Sequence, residues 1–279
     1  MTRKLLRALV FVSLAFWFLL VVVPVVWLVY SSFKTNEAIF ADPWRPPLSP
    51  AEVSVDNYAR AWSKSHVGGY FLNSVVTVSS ALFGTLLLSA MAAYGLARLR
   101  VKGRRVIYYL FVAGMIVPTA LTLAPLFELL RSLSLLNSLT GLALVYVAFS
   151  IPFSLLMLYG FFSSLPEEVR EAAIVDGATE WQTFWHVFLP MARPGLVTVA
   201  IFNFLGLWNE YLLALVTLIE PEKQTLQLGI ANMVVSMNYR SDWGTLLATM
   251  VLAMLPVLVL YAALHKRVVE GMILGAVKG

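Results

Sequence analysis

An all-α membrane protein that crosses the bilayer about six times is the fold class this sequence predicts, on three observations. Of its 279 residues 60% are hydrophobic and only 13% charged, with a mean hydropathy of +0.82, whereas soluble globular domains carry roughly 25% charged residues. Six apolar runs have the length of a bilayer crossing, about 20 residues each. Lys and Arg gather in alternate loops between those runs, as membrane orientation requires. Six such spans would use nearly half the chain and leave no room for a sizeable soluble domain.

The first run extends from Ala8 to Tyr30, directly after Arg3, Lys4 and Arg7. Its 23 residues exceed the apolar core of a secretory signal, roughly 7 to 15 residues, and no small-residue cleavage site precedes Lys34, so a retained first helix is expected. From Lys34 to Tyr70, Pro43, Pro46, Pro47, Pro50, Gly68 and Gly69 predict an external loop with little regular structure. Further spans are expected over Phe71–Ala97, Val106–Phe127, about Leu139–Phe162, Pro194–Ile219 (interrupted by Glu210) and Gly244–Leu264. Proline and glycine inside them, among them Pro118, Pro125, Pro152, Gly206 and Pro256, are tolerated where neighbouring helices satisfy the freed backbone groups.

Basic residues orient this layout. With the amino terminus inside, thirteen of the 20 Lys and Arg fall on the cytoplasmic side, five of them (Arg98, Arg100, Lys102, Arg104, Arg105) in the short loop after the second span. Both termini are therefore expected in the cytoplasm. The basic residues form no continuous nucleic-acid-binding face, and no nucleic-acid partner is expected. The sequence divides into a first helix and external loop (1–70), a membrane core (71–265) holding a cytoplasmic loop (163–193), and a cytoplasmic tail (266–279).

That cytoplasmic loop reads SSLPEEVREAAIVDGATEWQTFWHVFLPMARP and describes two short helices joined by a turn. Pro166 opens a helix whose first turn carries Glu167 and Glu168, acids suited to the positive end of the helix dipole. Gly177 supplies the stop, because glycine takes the left-handed conformation without steric cost. Thr179 and Gln182 have capping-box spacing for a second helix, expected to end at or before Leu189, ahead of Pro190. Ala172 and Ala173 are small enough for another protein's backbone to approach, with Arg170, Glu171 and Asp176 beside them. Local chemistry leaves two readings open: a docking knob, or an interfacial helix that caps the bundle.

Glu171, Ala172, Ala173, three residues, Gly177, nine residues, Val187, one residue, Leu189 and Pro190 form an order that resembles the EAA loop of binding-protein-dependent ABC importer permeases, with Val187 in place of the usual isoleucine. Asp176, Ala178 and Pro194 fit the same pattern. Trp208, Asn209 and Glu210, with the ending GMILGAVKG, resemble carbohydrate permeases of the maltose G-subunit type; Ile273 and Leu274 stand where threonine and alanine are frequent. The likeness runs from about Phe71 to Gly279. It implies a type I ABC importer permease fold with a MetI-like transmembrane domain in a bacterial or archaeal cytoplasmic membrane. It also implies that Glu171, Ala172, Ala173, Asp176, Gly177 and Ala178 form a coupling helix seated on an ATP-binding subunit. The implied partners are a second homologous permease, two ATP-binding subunits, which bind the ATP and Mg, an external solute-binding protein, and membrane lipid. The polar segment between Glu220 and Asp242, with Gln224, Asn232, Asn238 and Tyr239, is the implied meeting point with the solute-binding protein.

Glu210 is the acid placed well inside a predicted span, and an ionisable group in hydrocarbon ordinarily faces a cavity or a partner. With Asn203 and Asn209 it forms either part of a translocation path or a packed polar cluster at the interface with the second permease. On a continuous helix Asn203, Leu207 and Glu210 would share a face that Trp208 does not. Tyr146, Phe149, Phe153 and Tyr159 read as core packing. His66, His186 and His265 lack metal-ligand spacing, the chain has no cysteine, and no G-x-x-x-x-G-K-[ST] stretch appears. The chain is expected to hold no cofactor, metal or catalytic residue of its own. An ion-coupled secondary carrier is the alternative; it would need intramembrane ionisable groups, of which the chain offers mainly Glu210. A membrane-embedded enzyme would require a convergent catalytic set inside the spans, and none is evident.

Overall fold

The structure is a computed structural model that describes residues 3–236 and 241–276, with side chains as far as Leu264. Asn238 and Tyr239, the side chains of His265, Lys266, Arg267 and Lys278, and those of the closing Gly271–Gly279 stretch lie outside the described residues.

The principal helices, in chain order, are α1 (Arg3–Ser31), α2 (Val67–Arg98), α3 (Arg104–Gly114), α4 (Thr119–Ser132), α5 (Leu139–Ser164), α6 (Glu167–Val175), α7 (Glu180–Met191), α8 (Arg193–Trp208), α9 (Leu212–Thr217), α10 (Leu226–Ser236) and α11 (Trp243–Ala276). No strand occurs among the described residues; Lys34 and Val53 form an isolated bridge. Among the described residues, helices α1, α2 and α5 and the Trp243–Leu264 part of α11 are each long and apolar enough to cross a membrane, and two bent pairs bring the total up to six.

Those bent pairs correct two expected spans. Val106–Phe127 is not one helix: α3 and α4 meet at 100°, because Pro118 has no amide to donate and holds an extended conformation ahead of α4. The fifth span does not run unbroken to Ile219. α7 and α8 meet at 73°, α8 stops at Trp208, and the chain passes through Asn209–Tyr211 before α9. The helix after the Gly177 turn also continues past Pro190 to Met191. Its residues Phe184–Phe188 form a π-helical segment, whose wider turn carries the backbone past a proline that an α-helix interior would reject.

Contacts divide the chain into two units. One comprises Met1–Gly69 with Gly229–Leu255. Here the stretch from Lys34 to Tyr70 departs from the expected irregular loop: it contains helices Asn36–Ala41, Asp56–Ala59 and Arg60–Lys64 around a polar hub. Lys34 is buried, and its Nζ donates to the carbonyls of Asp42 at 2.6 Å and Arg45 at 3.0 Å. Asn57 Nδ2 donates to the Ser32 and Lys34 carbonyls at 2.8 and 2.9 Å. Asp242 caps the start of α11, accepting from Thr245 N at 3.2 Å, and receives Arg60 Nε at 3.3 Å. Spacing of prolines gave no view of these contacts, which fix the loop through buried hydrogen bonds instead of apolar area.

The second unit comprises Tyr70–Leu228 and Pro256–Gly279. Its core gathers Ala93, Tyr94 and Leu96 of α2, Leu155, Leu158 and Phe162 of α5, Phe184 and Phe188 of α7, and Val199 of α8. Tyr94 lies 5.2 Å from both the Phe184 and the Phe188 ring centroids, a separation at which aromatic pairs attract. In α10, Leu226 and Leu228 are buried, so this part of the Glu220–Asp242 segment is an apolar helix and not the polar stretch expected.

Candidate functional site

Two places in the second unit carry the residues singled out by sequence. The first is the turn between α6 and α7. Asp176 caps α6, and Gly177 adopts φ +84°. The Gly177 amide donates to the Ile174 carbonyl and the Ala178 amide to the Ala173 carbonyl, each at 3.0 Å. This is the Schellman pairing, which satisfies carbonyls that a helix end leaves orphaned. Two residues later Thr179 Oγ1 accepts from Gln182 N at 3.2 Å while Gln182 Oε1 accepts from Thr179 N at 2.8 Å, the capping box that the spacing predicts. Helix stop and helix start are thus closed within six residues by local bonds.

The α6 turn is a surface feature. None of its helical residues is buried; Glu171, Ala172, Asp176 and Gly177 are exposed, and Ala173 and Ala178 half-buried. Beside them stand Val175, 86% exposed, and Trp181, 57% exposed. These two apolar side chains were not singled out by sequence, although Ile174 and Val175, adjacent apolar residues just before a helix stop, are a signal for an exposed contact surface.

Behind this surface lies an ion-pair chain whose members come from distant sequence. Arg98, the last residue of α2, donates through Nη1 to Glu167 at 2.8 Å, through Nε to the Phe162 carbonyl at 3.0 Å, and through Nη2 to the Phe162 and Leu165 carbonyls. Its guanidinium carbon also lies 5.3 Å from the Phe188 ring centroid. Arg170 bridges Glu167 at 3.0 Å and Glu180, donating to both Glu180 oxygens. Tyr94 completes the chain with a 3.0 Å hydrogen bond from its hydroxyl to Glu180. Burial pushes the Glu167 carboxyl up, and bonds from Arg170 and Arg98 overcome it, holding the group below the usual 4.5. Bonding to Glu180, against a smaller burial effect, raises Arg170 above its ordinary value. The sequence placed Arg98 only in a count of basic residues; nothing in its neighbours signals an acceptor in a loop more than 60 positions away.

The second place is the break after α8. Glu210 does not sit on a continuous helix. Its Oε1 accepts from Leu213 N at 2.6 Å and its Oε2 from Ala214 N at 3.2 Å, so the carboxylate caps α9. Oε2 also accepts from the Tyr146 hydroxyl at 2.8 Å, and Tyr146 is 1% exposed. The polar trio is not assembled. Asn203 is buried and donates to Ser154 Oγ at 2.8 Å and to the Val199 carbonyl at 2.9 Å, a contact between α8 and α5. Asn209 is exposed and donates back to the Leu205 carbonyl at 2.8 Å. The expected common face of Asn203, Leu207 and Glu210 fails because the helix ends between the second and third of them. Of the aromatics, Tyr146 is core, Phe153 packs edge-on with Phe202 at 6.1 Å, and Tyr159 meets Tyr108 at 4.9 Å. Phe149 is 38% exposed, contrary to expectation.

Comparison with known proteins adds what geometry does not. A family model described as the binding-protein-dependent transport system inner membrane component matches residues 85–273, a span that includes both places. The chain is similar to the diacetylchitobiose uptake system permease protein NgcG of Streptomyces coelicolor, 46% identical over 91% of this chain and 83% of that protein. It is similar to the sulfoquinovosyl glycerol transport system permease protein SmoH of Agrobacterium fabrum, 36% identical over 92% of this chain and 88% of that protein. Among solved structures, a chain of a bacterial ABC transporter involved in import of the acidic polysaccharide alginate superposes with a TM-score of 0.84 at 22% identity, over 95% of this chain and 98% of that one. At that identity the likeness is one of fold.

Proposed function

Because this chain belongs to the binding-protein-dependent transport system inner membrane components, the permease subunits of ABC importers, we propose that it moves a disaccharide, oligosaccharide or related glycoside across a bacterial or archaeal cytoplasmic membrane, with both termini inside. The sugar class is supported by the diacetylchitobiose and sulfoquinovosyl glycerol systems in which its relatives serve. Diacetylchitobiose is the first probe to try, since the relative at 46% identity belongs to that system.

The observation that carries the mechanism is the exposed α6–α7 elbow. Its backbone is locked by its own caps, while Ala172, Val175 and Trp181 present small and apolar surface outward. Glu171, Ala172, Ala173, Asp176, Gly177 and Ala178 seat this elbow on one of two partner ATP-binding subunits. ATP and Mg, held by those partners, supply the free energy. A second, homologous permease completes the pathway, and an external solute-binding protein delivers the sugar. This chain performs no bond chemistry; it changes between inward- and outward-facing arrangements as the elbow is displaced. Lipid covers α1, whose most apolar window has no buried residue. Glu210, on which an ion-coupled carrier would depend, is held by two amides and a phenol, which suits a structural cap better than a mobile proton site.

The test is sugar-stimulated ATP hydrolysis in proteoliposomes holding the co-purified complex and its binding protein, comparing the native chain with Gly177→Asp. Loss of stimulation in an assembled complex supports the elbow as the coupling element. Unchanged stimulation overturns it.

A further inference from the structure

We propose that Arg98 and Arg170 are positioning residues of transport: together with Glu167, Glu180 and Tyr94 they form the rigid linkage through which a push on the α6 elbow reaches the membrane-spanning helices. This deepens the coupling role proposed above and rests on it.

Three observations lead there. First, α6 has no fully buried residue, so apolar packing through its half-buried Val169 and Ala173 holds it only lightly to the bundle. A helix held only at its covalent ends would bend at the Leu165–Pro166 and Gly177 turns when pushed. Second, the two ion pairs stand where such bending would occur. Arg98–Glu167 at 2.8 Å ties the first turn of α6 to the end of α2, and Arg170–Glu180 closes across the Gly177 turn and ties α6 to α7. Third, the Arg98 end of the linkage is buried and multiply bonded. The Arg98 side chain is 8% exposed, and its guanidinium also takes up the Phe162 and Leu165 carbonyls at the end of α5. Carbonyls at a helix end have no intrahelical partner and carry the negative end of the dipole. One planar, permanently charged fork therefore joins α2, α5 and α6, a geometry that a lysine ammonium cannot reproduce.

Tyr94 extends the same linkage to α7 through Glu180. On one side of that bond is a cleft of about 150 Å³ lined by Met91, Tyr94, Gly95, Leu99, Trp181 and Phe184. The Tyr94–Glu180 bond borders this cleft and adds a directional polar tie to the ring contacts of Tyr94 with Phe184 and Phe188 that hold α2 against α7. The four charges sum to zero, and each carboxylate serves two elements. Removing one arginine leaves the other carboxylate bonds in place but opens one joint of the linkage.

The native chain contains no cysteine, which allows spin labels to be placed cleanly. We would label Glu168→Cys on the exposed face of α6, outside both ion pairs, and Phe83→Cys on α2, 71% exposed, in the assembled importer. Electron–electron distances would be recorded with and without ATP and vanadate. With native Arg98 a narrow distribution that ATP leaves unshifted is expected, since α6 and α2 move as one body. Arg98→Gln should broaden the distribution at least twofold and lower the ATP-stimulated transport rate at least tenfold, and Arg98→Lys should fall between. A distribution as narrow as native in Arg98→Gln, with transport retained, overturns the proposal. Should Arg98→Gln fail to assemble, Arg170→Gln and Arg170→Lys decide: Arg170→Gln should lower the ATP-stimulated transport rate at least tenfold and Arg170→Lys should recover at least a third of it. Transport at the native rate in an assembled Arg170→Gln variant overturns the proposal. If Gly177→Asp abolishes coupling while these variants do not, only the linkage fails; if Gly177→Asp is itself silent, the elbow reading fails with it.

Discussion

At the Gly177 elbow the backbone reverses on an exposed surface, and the capping bonds that close the turn span five residues or fewer. At Asn209–Tyr211, inside the apolar run Pro194–Ile219, a helix also stops and restarts, but the cap on α9 is shared with Tyr146 from another helix. The elbow can rely on solvent for groups it leaves open, so local pairing suffices. The break after α8 has no such reserve, because Leu213 and Ala214 are buried and a buried amide left without an acceptor costs about 1 to 3 kcal/mol. A negative charge at a helix start is favourable in both places, from Glu167 and Glu168 on α6 and from Glu210 on α9. The elbow balances its acids with Arg98 and Arg170, whereas the donors on Glu210 are a phenol and two amides. At the elbow the charge pairs join a buried arginine to carboxylates that keep one side in solvent, which lowers the cost of forming them. Neutral donors suit the apolar side, where they stabilise a carboxylate without burying a second charge.

The largest effect that would break this contrast is at Glu210. Glu210→Ala strips the acceptor from two amides and a buried hydroxyl and should lower stability by about 3 kcal/mol, read by thermal unfolding of the purified complex in detergent. Glu210→Gln, which keeps one oxygen, should lose about half as much. A neutral result would show that the break is held otherwise. Next comes Gly177→Ala. No atom lies within 4 Å of an added Cβ, so the penalty is purely that of φ +84°, roughly 1 to 2 kcal/mol, with Gly177→Asn costing less because asparagine accepts that conformation more readily. A steric clash would instead make the two equal. Thr179→Ala removes one half of the capping box and should cost about 1 kcal/mol, read in the same unfolding experiment, with loss confined to the elbow in hydrogen exchange. The smallest effect is one of pH. The Glu167 carboxyl is held below 4.5 in the folded chain, so its pairing is fully present at neutral pH and is lost only as pH falls through that lowered value. Substrate-independent ATPase of the complex should therefore not report a Glu167 transition between pH 7 and 5, and hydrogen-exchange protection of α6 should weaken first below about pH 4.5. A transition near neutrality would mean that the carboxylate is not paired as described.

The difference between the two regions also separates what was readable. Pro166, Gly177, Thr179 and Gln182 each act within one helix turn, and their chemistry alone places the elbow. The extension of α7 past Pro190 was missed because a π-helical turn depends on aromatic packing by Phe184 and Phe188 against Tyr94, contacts with no local signature. The external loop was missed for a related reason: prolines mark where helices cannot run through, while Lys34, Asn57 and Asp242 order the short segments between by reaching across the sequence.

The sequence by itself determined the membrane class, the approximate spans, the elbow and the family, because hydropathy, helix caps and motif spacing are properties of neighbouring residues. Only the tertiary structure decided that Asn203 packs against Ser154, that Glu210 ends one helix and begins another with Tyr146 as its partner, and that Arg98 joins three helix ends. Each of these depends on which acceptor a folded chain brings within hydrogen-bond distance, and hydropathy is blind to that distance.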